Sequence, residues 1–311
     1  MYNLKKSEIY NNHFAHKTRE KSYRGSALAL SLLSLIAFNP HEAFAMENSE
    51  EEIKKEVRSA YGAIAKSQKP CFSCSSSGCG EAPNKPSAKE YALGLGYSEE
   101  DLKESPIGAD LGLGCGNPTA IASLKEGEVI VDLGSGGGFD CFLAANKVGA
   151  SGKVIGVDMT PDMIDLARKN ALKRNYENVE FVLGEIENLP LPDSIADVIM
   201  SNCVVNLSPN KEAVFKEAAR VLKVGGRLAI SDIVTTTELP ESIKNDINLY
   251  TGCITGATKV DTLKLIMESA GFGEIKIDVK DESRSFISQW APESKAEDYI
   301  AAAYIYATKL T

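Results

Sequence analysis

The chain has 311 residues, of which 43% are hydrophobic and 25% charged, and its formal net charge is −9. This composition is typical of a globular protein long enough for one large domain or two ordinary ones. The acidic balance argues against nucleic acid and against an anionic membrane surface as partners, because both ligands need a basic protein face.

The first segment, residues 1–45, combines basic side chains, an apolar run at 27–38 and the small-residue sequence Ala43-Phe44-Ala45. This order is typical of a secretory signal, and the apolar run is too short for a comfortable transmembrane helix. The alternative is an over-extended start, with Met46 as the natural first residue. In either case residues 1–45 contribute nothing to the predicted fold.

Residues 46–125 form the second predicted segment. Charged and apolar residues at helical spacing predict an amphipathic helix over 49–66. Residues 68–90 are rich in Ser, Gly and Pro, which predicts a loop or linker. Ser98 as an N-cap, with Asp101 in the capping-box position, predicts a short helix after it.

From Glu128 onward, short apolar runs alternate with helical patterns. The predicted strands cover 128–134, 153–159, 179–185, 196–202, 225–234, 274–280 and 301–310, and the predicted helices cover 139–149, 160–175, 210–223 and 261–272. The second of these helices has Thr160 as its N-cap and Pro161 at its first position. The alternation predicts an α/β fold with a doubly wound, mostly parallel seven-stranded sheet. Its core would be 126–234, and 235–311 would supply an insertion (about 235–259) and the last strands.

A glycine-rich turn follows the first predicted strand, in the sequence VDLGSGGGFD. Glycines there permit a tight turn and let a ligand approach the backbone. Asp132 precedes the turn, and Asp158 ends the second predicted strand, where an acidic side chain accepts hydrogen bonds from ribose hydroxyls. A dinucleotide would need glycine in place of Phe139, whereas S-adenosylmethionine has no phosphate and needs only an acidic residue beside the loop.

Histidine is confined to the start of the chain, at His13, His16 and His41. This distribution excludes Ser-His-Asp and Cys-His catalysis and ordinary His-ligated zinc from the predicted core. The seven cysteines are an odd number in a long chain, which disfavours a full disulfide framework and favours thiols used for metal binding or catalysis.

Three cysteines fall in loops that can border one site. Cys115 lies between two glycines before the first core strand, Cys203 follows the fourth strand, and Cys253 lies in the insertion. Each alone is more often a small buried residue, as Cys141 is expected to be. Together, three thiolates suit a pyramidal thiophilic centre such as trivalent arsenic, and the glycines flanking Cys115 would let the backbone reach the bound atom.

These motifs resemble two groups of known proteins. The D-x-G-x-G-x-G turn and the acidic end of the second strand, within 128–234, resemble class I S-adenosylmethionine-dependent methyltransferases. From about Glu51 to Leu310, a set of segments resembles the arsenite methyltransferase family nearly throughout. These segments are SAYGAIA, LGLGCGNP, VDLGSGGGFDCFLAA, GVDMTPDM, GEIENLPLPD, SNCVVNLSP and YTGCITGA.

The resemblance implies particular roles for residues of this chain. Cys115, Cys203 and Cys253 would hold As(III), and Cys71 or Cys74 would match an additional N-terminal cysteine that the family has on a mobile segment. The residues implied around S-adenosylmethionine are Asp132, Gly134, Ser135, Gly136, Gly138, Asp158, Met159, Gly184, Glu185 and Ile186. The chain departs from the family in having three N-terminal candidates in CFSCSSSGCG, and that run alternatively binds another soft metal or is solvated linker.

The implied substrate is arsenite or its thiol conjugates, and the implied reductant is glutathione or thioredoxin. This chemistry favours a cytoplasmic monomer without nucleic acid or a stable membrane anchor, and an exported protein is the alternative should residues 1–45 be a true signal. Two other functions stay open from the residues alone. One is methylation of a small lipid or quinone, and the other is storage of a soft metal by a thiol protein that ignores S-adenosylmethionine.

Overall fold

A mixed sheet organises the part of the chain that the computed structural model describes, residues 40–67, 87–244, 246–290 and 294–311. Its strands are β1 (Val129–Leu133), β2 (Lys153–Asp158), β3 (Val179–Leu183), β4 (Ala196–Asn202), β5 (Leu222–Thr235), β6 (Thr258–Lys259), β7 (Phe272–Lys280) and β8 (Ile300–Lys309). The sheet order is β3-β2-β1-β4-β5-β8-β7, and β6 pairs with the end of β5. The first five strands are parallel, and β8 lies antiparallel between β5 and β7.

Helices cover both faces of this sheet and one of its ends. They are α1 (Pro40–Ser67), α2 (Ala88–Gly94), α3 (Glu99–Glu104), α4 (Pro118–Ile121), α5 (Phe139–Val148), α6 (Pro161–Lys173), α7 (Lys211–Val221), α8 (Glu241–Lys244), α9 (Ile247–Thr251), α10 (Val260–Ser269) and α11 (Arg284–Ile287). Short 3₁₀ turns occur at Val205–Leu207, Asp281–Ser283 and Ala296–Asp298.

Successive residues of β1 pack on opposite faces of the sheet, as the two-residue period of a strand requires. Ile130 belongs to a buried cluster with Phe142 of α5 and Ile164 of α6. Val131 belongs to a second cluster on the other face, with Phe215 of α7. Burial on both faces explains why the central strands are nearly continuous apolar runs. The polar residues that end these strands therefore gather at one edge, the carboxyl ends of the parallel strands.

The predicted doubly wound, mostly parallel sheet is confirmed, and each of the seven predicted strands is present. An eighth strand, β6, was not expected, because two residues are too few to show a period. The predicted helix over 49–66 is also present, as part of the longer α1.

The predicted loop over 68–90 is wrong at its end, where α2 begins at Ala88. Ser87 caps this helix, and its hydroxyl accepts the Glu90 backbone N–H at 3.2 Å while the Glu90 carboxylate accepts the Ser87 N–H at 2.8 Å. This capping box begins a helix that is too short to show hydrophobic periodicity. Residues 68–86 lie outside the described part of the chain.

Two predicted helix starts differ in how they are capped. Ser98 and Asp101 form the expected capping box at α3, with reciprocal hydrogen bonds of 3.0 and 2.8 Å. Thr160 occupies the N-cap position of α6, before Pro161, but its side chain makes no capping hydrogen bond. The Asp158 carboxylate instead accepts the Thr160 backbone N–H at 2.8 Å. The second strand and its following helix are therefore joined through this acid.

The predicted insertion begins where β5 ends and contains α8 and α9. It returns to the sheet at β6, where Thr258 pairs with Val234. The short elements between β7 and β8 were not predicted, because each is four residues or fewer. Within the described ranges, no helix combines the length and apolar character needed to cross a bilayer.

The Ser98 cap yields a prediction of stability. Ser98→Ala removes the hydroxyl that accepts the Asp101 N–H, while the Ser98 backbone N–H still donates to the Asp101 carboxylate. The loss should lower the free energy of unfolding by about 1 kcal/mol. Denaturant titration would measure this change. The matched control is Ser59→Ala, at an exposed position inside α1 where alanine favours the helix, so it should leave stability unchanged or slightly raised. Equal effects of the two substitutions would contradict the capping role.

Candidate active site

A cavity opens at the carboxyl ends of β1, β2 and β4. Its wall includes the polar residues at or near the ends of these strands, which are Asp132, Asp158 and Asn202. Val57 and Tyr61 of α1 line the cavity from above. Ligands of open α/β sheets bind at this end of the strands, so the cavity is the candidate active site.

The glycine turn after β1 forms the floor of the cavity. Gly134 and Gly136 have φ values of 68° and 51°, in the left-handed region that glycine tolerates best. The Asp158 carboxylate accepts the Gly136 N–H at 3.0 Å, which fixes the turn against the end of β2. The Ser135 hydroxyl is buried in the cavity wall without a hydrogen-bond partner in the described structure. This hydroxyl faces β2, since a Cβ at Gly156 would lie 2.7 Å from it.

Two acids lie side by side in the same wall. The Asp140 carboxylate accepts hydrogen bonds from the Tyr97 hydroxyl at 2.7 Å and from the Asn202 amide at 3.0 Å. The Asp132 carboxylate accepts one from the Cys141 thiol at 3.1 Å. Burial raises the pKa of both carboxyls, and the Asp140 charge raises that of Asp132 further. Cys141 is buried in the core as predicted, and it also orients Asp132.

The three predicted thiols converge from separate segments beside this cavity. The Cys253 thiol donates to the Cys203 carbonyl oxygen at 3.0 Å, and the sulfur atoms of Cys115 and Cys203 lie within 4.8 Å of each other. Cys203 and Cys253 have φ values of 59° and 62°, an uncommon conformation for residues with a side chain. Backbone strain of this kind concentrates at functional sites, which supports a role for these thiols beyond filling the core.

Two of the thiols form a closer group with a buried carboxylate, a group that does not include Cys253. The sulfur atoms of Cys115 and Cys203 and a carboxylate oxygen of Asp232 all lie within 4.8 Å of one another. Burial raises the pKa of both thiols, raises that of Asp232 to about 6, and lowers that of the nearby Lys211 ammonium. At neutral pH the free site therefore holds protonated thiols, which lose their protons when a thiophilic centre binds.

The glycines beside Cys115 let its loop pack closely against the strand ends behind it. A Cβ at Gly116 would lie 2.2 Å from the Ser231 hydroxyl of β5, and one at Gly114 would lie 2.7 Å from the Asn202 amide nitrogen. The loop therefore packs directly on β4 and β5. In this position the Cys115 N–H donates to the Asn202 side-chain oxygen at 3.0 Å.

The predicted adenine-side residues differ in their surroundings. Met159 and Ile186 line the cavity. The Glu185 carboxylate instead pairs with two cations of α1, Lys54 at 2.8 Å and Arg58 at 3.0 Å. This ion-pair network fastens α1 over the cavity.

Two predicted glycines lie in turns behind the cavity wall. Gly138 precedes α5 with a φ of 92°, and a Cβ there would lie 2.7 Å from the rings of Phe142 and Phe181. A Cβ at Gly184 would lie 2.6 Å from Pro190. Both glycines permit close packing that shapes the wall.

Sequence reasoning missed four residues of the site. Asp140, Asn202 and Asp232 had a usable signal, because each follows the glycine turn or lies near the carboxyl end of a parallel strand. Tyr91, whose hydroxyl donates to the Gly114 carbonyl at 3.0 Å, had none. It lies in the short helix α2, which begins inside the predicted loop over 68–90.

The chain is similar in sequence to known methyltransferases. Residues 124–271 match the family model described as a methyltransferase domain. The chain is 46% identical over 277 residues to an arsenite methyltransferase of Halobacterium salinarum, covering 87% of this chain and 70% of the relative. It is 34% identical over 230 residues to the human arsenite methyltransferase, covering 71% of this chain and 58% of the relative. It thus spans more than half of each relative's length.

A solved structure is similar over a comparable range. The crystal structure of an arsenic(III) S-adenosylmethionine methyltransferase from Chlamydomonas reinhardtii superposes with a TM-score of 0.55 at 31% identity. The match covers 73% of this chain and 74% of that protein.

The packing at Gly116 yields a prediction about the thiol cluster. Gly116→Ala should displace the Cys115 loop from β5 and destabilise the fold by about 1–3 kcal/mol, because the added methyl overlaps Ser231. Thermal unfolding would measure the stability change, and thiol titration under native conditions would show faster labelling of Cys115. Gly94→Ala is the control, since a Cβ there meets nothing within 4 Å. Wild-type behaviour of Gly116→Ala would contradict the close approach.

Proposed function

Because this chain belongs to the arsenite methyltransferase family, we propose that it methylates trivalent arsenic held by the thiolates of Cys115, Cys203 and Cys253. The fold and relatives are those of an S-adenosylmethionine-dependent methyltransferase. The observation that most supports the arsenic site is the convergence of three buried thiols beside the cavity. A methyltransferase of lipids or quinones has no use for such a cluster.

The cavity fits the proposed cofactor. S-adenosylmethionine supplies a methyl group on a positively charged sulfur. Asp158 offers the remaining lone pairs of its carboxylate to ribose hydroxyls, and Ser135 lines the same cavity. Gly136 faces open space, since a Cβ there would meet no atom within 4 Å. The remaining residues proposed for this site are Asp132, Gly134, Gly138, Met159, Gly184, Glu185 and Ile186.

The thiols would bind arsenite, or its thiol conjugates, by ligand exchange. As each sulfur forms a bond to arsenic, its proton passes to the departing hydroxide or thiolate, so the exchange needs no external base. The arsenic lone pair is then the nucleophile toward the methyl group. It bears no proton, which agrees with the absence of histidine after residue 41. Positioning and exclusion of water are therefore the main contributions of the protein.

Methyl transfer formally oxidises As(III) to As(V), so a reductant must follow. Two thiols that form a disulfide supply the two electrons and release two protons. We propose glutathione or thioredoxin as the external source. Cys71 or Cys74 is the proposed internal thiol, in a part of the chain outside the described residues.

The setting proposed for this reaction is the cytoplasm, where S-adenosylmethionine and reduced thiols are available. One copy of the chain contains the whole proposed site, so we expect a monomer to suffice for activity. The acidic net charge of −9 supports small-molecule partners over nucleic acid.

The proposed activity predicts methylated arsenic from purified components. The full chain incubated with arsenite, isotopically labelled S-adenosylmethionine and a thiol should yield labelled methylarsenic species, detected by chromatography. Thermal-shift measurements with each ligand alone should show that both bind. Binding of S-adenosylmethionine without any arsenic product would refute the proposed substrate, and binding of arsenite alone would favour a storage protein.

A single thiol substitution tests the arsenic site. Cys203→Ser should lower methylation at least 100-fold and weaken arsenite binding, because the central sulfur is lost, while affinity for S-adenosylmethionine stays nearly unchanged. Arsenite titration and calorimetry would measure the two affinities separately. The matched control is Cys141→Ser, another buried thiol, which should keep wild-type affinity for arsenite. Unchanged turnover of Cys203→Ser would make this thiol a core residue.

A further inference from the structure

The wall of the cavity is rich in buried acids. Asp110, Asp132, Asp140 and Asp158 all line it, and the last three are less than a tenth exposed. Among the described lining residues, Lys54 is the one Lys or Arg, and it is paired with Glu185. The free cavity therefore presents an excess of carboxyl groups to whatever enters it.

Neutral groups surround the central pair of these acids. Asp140 accepts from the Tyr97 hydroxyl and the Asn202 amide, and Asp132 accepts from the Cys141 thiol. A buried carboxylate with only neutral donors is costly when charged, and two neighbouring ones are costlier still. The pair is thus arranged to hold a proton when the cavity contains no cation.

The pKa values of the two acids and of the groups that face them agree with a protonated pair in the free cavity. Burial, the largest cause, and the charge of Asp110 raise the pKa of Asp140 to about 6. The hydrogen bonds from Asn202 and Tyr97 and the positive charge of Lys147 oppose this shift without cancelling it. Burial, with the charges of Asp140 and Asp158, raises the pKa of Asp132 well above its ordinary value. Burial and these acids raise the pKa of the facing groups Tyr97 and Cys141 too, so both stay neutral.

The two ligands that the proposed cofactor site would hold differ in charge. S-adenosylmethionine and its product, S-adenosylhomocysteine, share an adenosine, an ammonium and a carboxylate. They differ by the methyl group and by one positive charge, which is on the sulfur of the cofactor only.

We propose that the Asp132–Asp140 pair discriminates the cofactor from its product by releasing a proton to solvent when the sulfonium binds. The proton returns from solvent when methyl transfer leaves a neutral sulfur. This inference rests on the proposed cofactor site and not on arsenic. It gives the pair a role in specificity, since the product has no sulfonium charge to pair with an ionised carboxylate and therefore binds more weakly.

The sign of the pH dependence follows from linkage. A cation favours the ionised pair, so its affinity rises with pH while the free pair is protonated, and levels off once the free pair is ionised. Affinity for the neutral-sulfur product should change less. The affinity ratio of cofactor to product should therefore rise between about pH 5 and about pH 7, by up to about tenfold per pH unit for one proton.

Isothermal titration calorimetry of the full chain without arsenite tests this proposal. Titrations near pH 6 in two buffers of different ionisation enthalpy give the number of protons released. S-adenosylmethionine, and sinefungin with its amine in place of the sulfonium, should each release more protons than S-adenosylhomocysteine. Equal release by all three ligands, or a pH-independent affinity ratio, would overturn the inference. Failure of S-adenosylmethionine to bind at all would instead overturn the proposed function.

A substitution assigns the proton to the pair. Asp132→Asn should reduce the extra protons released with the cofactor and flatten the affinity ratio across pH, since one acid of the pair is removed. The Cys141 sulfur can accept from the new amide, so the contact survives. The matched control, Asp165→Asn on the exposed side of α6, should keep wild-type proton release. If Asp132→Asn releases as many extra protons with S-adenosylmethionine as the wild type does, the proton does not come from this pair. If the variant fails to fold, the wild-type titrations with the three ligands decide the proposal.

Discussion

The site depends on the close approach of one loop to the carboxyl ends of β4 and β5. Gly114 and Gly116 lack the side chains that would collide with Asn202 and Ser231, so the loop backbone lies directly on the strand ends. Only this packing brings Cys115 within reach of Cys203, whose position is set by β4. The thiol cluster is thus a consequence of backbone packing, in which two residues without side chains are required.

Asn202 connects the two halves of the site. Its side-chain oxygen accepts the Cys115 N–H, and its amide donates to Asp140 and to the Gly116 carbonyl. The same side chain therefore positions a thiol and an acid of the cofactor wall. Because a planar amide fixes the directions of its donors and acceptor, the distance between the two halves is set by one rigid group.

The sheet, its helices and the residues at the strand ends could be predicted from the sequence, because they depend on local patterns. Strand and helix periods are local, and the carboxyl ends of parallel strands must meet, so Asp132, Asp158 and Cys203 were expected at one edge. The convergence of Cys115 and Cys253 followed from resemblance, because loop geometry is not local. Tyr91 and the ion pairs of Glu185 with α1 depend on contacts between residues far apart in the chain, which no spacing rule contains.

Charge moves through this site in the proposed reaction. The positive charge starts on the sulfur of the proposed cofactor, in the cavity that Asp132 and Asp140 line, and ends on arsenic among the proposed thiolates. Both locations are buried, so each must offer negative charge at the moment it is needed. The thiolates provide it permanently once arsenic is bound. In the proposal, the acid pair provides negative charge only while the sulfonium is present. The product, S-adenosylhomocysteine, therefore binds more weakly than the cofactor. Burial therefore has two effects in the proposed site. It strengthens the electrostatic attraction to the reacting centres, and it weakens the binding of the product, S-adenosylhomocysteine.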